Sequence, residues 1–128
     1  MAFNGKYKLQ SQENFVPFMK ALGIPNDLIE KGRHVKSVTE IVQTGDHFKA
    51  TETKGSETIV NEFTIGEEME VPGPTGELIK GLVNAVGNKK LLAKMQNITA
   101  VIEIIGDQLV IIMTVGDVAF KRISKRVS

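Results

Sequence analysis

From residue 37 onward, apolar and polar residues tend to alternate in short runs, and a turn signal breaks the pattern about every ten residues. The breaks fall at Gly45-Asp46, Gly55-Ser56, Gly66, Thr75-Gly76, Gly87-Asn88, Gln96-Asn97, Gly106-Asp107 and Gly116-Asp117. Alternation with period two is the mark of a β-strand, because successive side chains leave opposite faces. The β-favouring segments include Thr39–Thr44, Phe48–Thr53, Glu57–Ile65, Val101–Ile105 and Leu109–Val115. Short, evenly spaced strands joined by hairpin-type turns predict an antiparallel up-and-down sheet. A short strand at about Gly5–Gln10 brings the expected number to ten. So many twisted strands without a long crossover close, or nearly close, on themselves, and a barrel of more than eight strands encloses a cavity.

The period changes between residues 11 and 33. Phe15, Phe18, Met19 and Leu22 follow i, i+3, i+4 and i+7 spacing, which is one face of a helix. Ser11 or Asn14 is suited to cap its start, Pro17 to its first turn, and Gly23 to its end. Asn26 is the expected cap of a second short helix from Asp27 to about Lys31. The resulting helix-turn-helix, over about residues 14–33, reads as a lid rather than a DNA reader. Its second helix is short and mixed in charge, with Asp27, Glu30, Lys31 and Arg33.

Two segments fit the strand pattern poorly. Val71-Pro72-Gly73-Pro74 interrupts a strand with residues that remove ladder donors, so an edge, a bulge or a widened loop is expected there. Leu78–Val86 is apolar with little alternation, which leaves its register open.

Composition narrows the class. The 128 residues suffice for one domain with a real core, and a net charge of +1 with 24% charged residues marks neither a nucleic-acid binder nor a disordered chain. There is no cysteine, which leans toward a reducing compartment. The opening residues lack an apolar leader segment, and no apolar run approaches the roughly 20 residues of a membrane span. A soluble cytoplasmic monomer is the expectation. His34 and His47 show no metal-ligand spacing, and there is no cysteine nucleophile or phosphate-cradling glycine motif, so neither catalysis nor a cofactor is expected. Asn97-Ile98-Thr99 matches a glycosylation acceptor but lacks the leader that would expose it to that chemistry. The Glu67, Glu68 and Glu70 cluster reads as a solvated turn.

The last strand carries the chemistry. In Val118–Lys125, one face presents Val118, Phe120, Arg122 and Ser124 and the other Ala119, Lys121, Ile123 and Lys125. If the first face lines a cavity, it brings a guanidinium and a hydroxyl into an apolar space. A buried cation needs a partner. Two readings are open: Arg122 awaits the anionic head of a ligand, or it is paired internally, with water or with Glu52. Glu52, near the Gly55 turn, reads as an acid on the rim. The same parity groups Phe48, Ala50 and Glu52; Ile59, Asn61 and Phe63; Leu91, Ala93 and Met95; Ile102 and Ile104; and Leu109, Ile111 and Met113.

Several motifs together resemble a known family. Phe3-Asn4-Gly5-Lys6-Tyr7, Ser11-Gln12-Glu13-Asn14-Phe15, Phe18-Met19-Lys20-Ala21, Asn61-Glu62-Phe63-Thr64 and Phe120-Lys121-Arg122-Ile123-Ser124-Lys125-Arg126 resemble the liver-type fatty acid-binding proteins, a branch of the intracellular lipid-binding proteins. The resemblance runs from end to end. It implies an all-β protein with a small helical lid, a ten-stranded antiparallel up-and-down β-barrel (β-clam) capped by a helix-turn-helix. It also implies non-covalent binding and transport of long-chain fatty acids and related amphipathic lipids in an internal cavity.

The resemblance assigns the ligand head group to Arg122, Ser124 and Thr39, with Thr39 in place of the usual serine. Ile111 and Ile102 stand where the branch has an asparagine and a threonine. Ala50, Glu52 and Pro74 replace residues that are normally large and apolar. Applied to that fold, strand parity gives an expected cavity lining of Phe18 from the lid, Ile41, Phe48 and Ala50, then Ile59, Asn61 and Phe63. Leu91, Ala93 and Met95, then Ile102, Ile111, Met113 and Phe120, complete it. Leu28, Lys31, Ser56 and Pro74 mark the expected portal, and Lys20, Lys31 and Arg33 would give it a basic mouth suited to anionic lipids or membrane surfaces. Transient membrane-surface or nuclear-receptor contact is carried as an implication of the resemblance; no nucleic-acid partner is expected. The alternatives are a bile-acid-preferring carrier of the same family and, in a different class, a non-ligand-binding β-barrel interaction module.

Overall fold

The computed structural model describes residues 2–33, 36–72 and 77–128. His34, Pro74 and the Thr75-Gly76 turn lie outside the described residues. Within them the chain forms ten strands and two short helices. These are β1 (Gly5–Glu13), α1 (Phe15–Ala21), α2 (Asn26–Gly32), β2 (Ser37–Thr44), β3 (His47–Lys54), β4 (Glu57–Thr64), β5 (Met69–Pro72), β6 (Leu78–Val86), β7 (Lys90–Met95), β8 (Ile98–Ile105), β9 (Gln108–Val115) and β10 (Val118–Arg126). The strands form one antiparallel sheet in the order β4-β3-β2-β1-β10-β9-β8-β7-β6-β5. Every neighbour is a sequence neighbour except β1 and β10, which pair and wrap the sheet into a nearly closed barrel.

β4 and β5 are the two edges. Near their connection the Gly66 N–H donates to the Val83 carbonyl at 2.8 Å and the Ile65 N–H to the Asp46 carbonyl at 2.9 Å. Pro72 ends the four-residue edge strand β5, where a missing N–H is tolerated. The β6 register, open in the sequence, alternates cleanly. Ile79, Gly81 and Val83 are buried, while Leu78, Leu82 and Val86 face solvent. Gly81 leaves room for its ladder partner Met95, since a Cβ there would meet Met95 Cγ at 2.8 Å.

The N-terminal region departs from expectation. β1 continues to Glu13 instead of ending near Gln10, so Ser11 is a strand residue opposite Ile123 and caps nothing. A register shift between Leu9 and Ser11 accompanies the passage of β1 along β10. Asn14 occupies the cap position of α1, but with a left-handed backbone (φ 64°) and no side-chain cap; its Nδ2 instead donates to the Ala119 carbonyl at 3.0 Å. Asn tolerates that conformation better than most residues, and here it turns the chain from strand into helix. Gly23 (φ 79°) ends α1 as expected. Its N–H donates to the Lys20 carbonyl and that of Ile24 to the Met19 carbonyl, a Schellman closure with Ile24 buried behind it. The cap position of α2 is Pro25, whose carbonyl accepts from Leu28 and Ile29, so Asn26 is the first helical residue and not the cap.

Apolar side chains pack into two clusters. One joins Phe3, Tyr7, Ile41, Phe48, Val83, Leu91, Ile104 and Leu109, and it includes a stacked Phe48–Phe63 pair with centroids 5.0 Å apart. These residues lie toward the β2–β3, β6–β7 and β8–β9 hairpins, which close one end of the barrel. The other joins Phe18 of the lid to Ile98, Val115 and Phe120, with Phe15, Met19 and Leu22 packed against it. Between the clusters, inward-facing Ala50, Ile102, Ile111 and Met113 are only half-buried. Half-buried inward side chains are what a barrel too wide to be filled by its own residues is expected to leave.

Candidate functional site

β10 brings Phe120, Arg122 and Ser124 to the interior on alternate positions, as period two requires. Ile111 of β9 stands opposite Arg122 in the ladder. The guanidinium reaches across β1 and β2 to β3. Its Nη2 donates to Ser37 Oγ at 3.1 Å and to Glu52 Oε2 at 2.9 Å. The Arg122 and Glu52 side chains are each 17% exposed, so the ion pair is largely shielded from water. The other Glu52 oxygen lies 3.6 Å from Lys54 Nζ, whose side chain is 37% exposed. The Arg122 Nε is buried without a hydrogen-bond partner.

Opposing effects set the Glu52 pKa. Burial raises it, but the Arg122 charge and hydrogen bond, the Lys54 charge and a Ser37 hydrogen bond together bring it below the usual carboxylate value. Glu52 is therefore held as a carboxylate. The expectation of a rim acid is corrected: β3 parity places Glu52 on the face of Phe48 and Ala50, and its short ion pair is with Arg122, with Lys54 the more distant and more exposed cation. Of the two readings of Arg122, the described residues show internal pairing.

The other expected head-group residues flank this pair. Thr39 lies directly opposite Glu52 in the β2–β3 ladder and opposite Tyr7 in the β1–β2 ladder. Ser124 is buried between Leu9 and Leu109. The hydroxyl that meets the guanidinium belongs to Ser37, which is not among the expected head-group residues. The signal was present: Ser37 has the parity of Thr39 and Ile41 and opens β2 at the lid end.

The expected lining divides between the two packed clusters and the segment between them. Ile41, Phe48, Leu91, Ala93, Phe18 and Phe120 are buried, while Ile59, Asn61, Phe63 and Met95 are half-buried. At the expected portal, Leu28 is 45% exposed, and Lys31 and Ser56 are exposed as well; Pro74 lies outside the described residues. Two open recesses lie where β1 leaves for the lid. One, of about 430 Å³, is lined by Lys8, Leu9, Gln10, Ser11, Gln12, Arg33 and Lys36; the other, of about 340 Å³, is lined by Gln12, Asn14, Phe15, Val16, Pro17 and Arg33. Neither includes Arg122, Ser37 or Glu52.

Comparison with known proteins gives concordant findings. The family model described as "Lipocalin / cytosolic fatty-acid binding protein family" matches residues 1–128. The chain is 52% identical over 127 residues to the liver fatty acid-binding protein of Sus scrofa, covering 99% of this chain and 100% of that one. The structure of a Schistosoma mansoni fatty acid binding protein in complex with arachidonic acid superposes with a TM-score of 0.92 at 27% identity, over 99% of this chain and 97% of the other. A zebrafish ileal bile acid-binding protein complexed with cholic acid gives 0.84 at 39% identity, over 99% and 100%.

Proposed function

The chain belongs to the lipocalin and cytosolic fatty-acid binding protein family, and from that premise we propose that it binds long-chain fatty acids and related amphipathic lipids non-covalently inside the barrel and carries them between cellular sites. It acts as a carrier and not as a catalyst. The observation that carries this reading is the half-buried midsection between two packed ends, with Arg122 the cation that reaches into it. Removing an acyl chain from water contributes about 0.8 kcal/mol per methylene, so the tail supplies most of the affinity. The polar group orients the ligand more than it tightens it, because Arg122 must lose hydration or partners to receive it. Ser37, Thr39 and Ser124 surround the point where the head would lie, and Leu28, Lys31 and Ser56 border the way in.

This reading takes the protein to be a cytoplasmic monomer that releases lipid at membrane surfaces or to a receptor. Among the described residues, no helix is long and apolar enough to cross a membrane. A bile salt is the second ligand class, favoured by the 39% identity to the bile acid-binding protein. Native mass spectrometry before and after delipidation, followed by calorimetric titration with oleate and with cholate, tests both. Co-purified acyl lipid and a saturable oleate isotherm are expected. Saturable binding of cholate alone favours the second class, and binding of neither overturns the carrier reading in favour of an interaction module.

A further inference from the structure

The fold has already supplied Arg122 with a carboxylate. We propose that Glu52 is a specificity-determining residue: a resident carboxylate that holds Arg122 against ligand carboxylates and turns the interior toward long-chain amphiphiles with an uncharged, hydrogen-bond-donating head, primary amides and alcohols. The inference rests on the carrier reading and specifies what the same interior prefers.

Charge is the first ground. Arg122 and Glu52 neutralise each other at 2.9 Å in a shielded setting. An arriving fatty acid carboxylate would place two anions on one guanidinium, and carboxylates that share a site repel, which disfavours the second charge unless one of them withdraws. Glu52 has somewhere to withdraw to, since Lys54 lies 3.6 Å from its Oε1. The exchange is unfavourable, however, because it replaces a short charge-assisted bond with a longer contact to a more exposed lysine that salt and water screen. A fatty acid can therefore enter, but it must first displace a group tethered in place.

Hydrogen-bonding capacity is the second. A carboxylate offers about four lone-pair positions, so Glu52 retains room for a donor after meeting Arg122 and Ser37. Arg122 has an Nε with no acceptor. A primary amide can donate to the former and, with a small shift of the guanidinium, accept from the latter, adding no charge. An alcohol can do the same with one hydrogen. A methyl ester can only accept. Space is the third ground: Ala50, on the same inner face two residues before Glu52, is small and half-buried, and Ile111 opposite Arg122 offers no competing polar group.

The test uses the delipidated full-length chain and displacement of a fluorescent acyl probe by oleate, oleamide and methyl oleate in neutral buffer. In the wild type, oleamide should bind about tenfold tighter than oleate, a ratio set by one charge-assisted contact. In Glu52→Gln that preference should shrink or reverse, because Arg122 becomes available to the anion. Glu52→Ile supplies the same comparison should the glutamine variant fold poorly. The wild type alone gives a further reading: oleamide must also outbind methyl oleate, and equal affinities overturn the proposal. A preference between oleate and oleamide that both variants leave in place overturns this inference while the carrier reading stands. Binding of none of the three overturns both.

Discussion

Arg122 and Arg126 lie on one face of β10, four residues apart, and the fold treats them in opposite ways. At the closed end, Arg126 Nη2 donates to the Ala2 carbonyl at 2.7 Å and to the Tyr7 hydroxyl at 2.6 Å, and its guanidinium sits 5.2 Å from the Tyr7 ring centroid. Tyr7 in turn donates to the Phe3 carbonyl. All these partners are neutral and belong to a packed end. Arg122 instead faces the half-buried midsection and is met by a charged, flexible side chain and one hydroxyl. The difference teaches that one cation serves to fasten the barrel, while the other is held by something that can move. The closed end should therefore respond to substitution as a core does, and the midsection as an electrostatic site.

The largest effect should come from the closed end. Phe48 packs edge-on against Phe3 and stacks on Phe63, and it is fully buried. Phe48→Ala should destabilise the protein by about 3–5 kcal/mol through lost burial and the cavity left behind. Urea denaturation measures this; a loss under about 1 kcal/mol would mean that this end is already loosely packed.

The two arginines can then be compared directly. Arg122→Met leaves the shielded Glu52 carboxylate with only the longer contact to Lys54, and since the pair retains some exposure the loss should sit near or below the lower end of the range for broken buried pairs, about 2–3 kcal/mol. Arg126→Met leaves no charge behind and should cost about 1 kcal/mol in lost hydrogen bonds and ring contact. Equal losses in the two variants would remove the distinction. Acid sharpens it further. Burial raises the folded-state pKa of Glu52, but Arg122 and Lys54 hold it below the ordinary carboxylate value, so the pair contributes stability that is present above the unfolded pKa and is lost as pH falls through the folded one. Wild type should thus lose more stability than Glu52→Gln between neutral pH and the acid range below about 4. Parallel pH profiles would show that the carboxylate is not the group being titrated.

The barrel was legible in the sequence because its cause is local. Glycine-marked turns and alternation specify strand number and which residues share a face, and Arg122, Glu52 and Ala50 fall on the faces that parity assigns. Which inward side chains then meet across a hollow is a long-range matter of reach. Ser37 and Glu52 sit on strands separated from β10 in the sheet, and period two carries no information about that distance. The same limit applies at Ser11. It resembles a helix cap locally, but pairing of β1 with β10 outcompetes the cap and carries the strand on to Glu13. The β6 register became clear only through its neighbours, since Leu78, Leu82 and Val86 are as apolar as the residues they alternate with.

The smallest effect concerns the attachment of the lid, where the two ends of the barrel differ most in how they are closed. One end is closed by the barrel's own hairpins and aromatic packing, whereas the other is covered by α1, whose Phe15 and Phe18 pack on Phe120 and which enters from Asn14 in a left-handed conformation with an exposed side-chain bond to Ala119. Asn14→Ala removes that bond and places a residue less tolerant of positive φ, and both changes disfavour the native entry by about 1 kcal/mol together. Asn14→Gly loses the same bond but relieves the backbone, so the two contributions oppose and the net should fall within a few tenths of a kcal/mol. Global denaturation would barely separate these variants, but hydrogen exchange would. If the lid opens on its own, amides of α1 should exchange about fivefold faster in Asn14→Ala than in Asn14→Gly, while those around Phe48 and Leu109 stay level. If the lid opens only when the barrel unfolds, both sets of amides should shift together, and the asymmetry between the ends would be one of packing and not of motion.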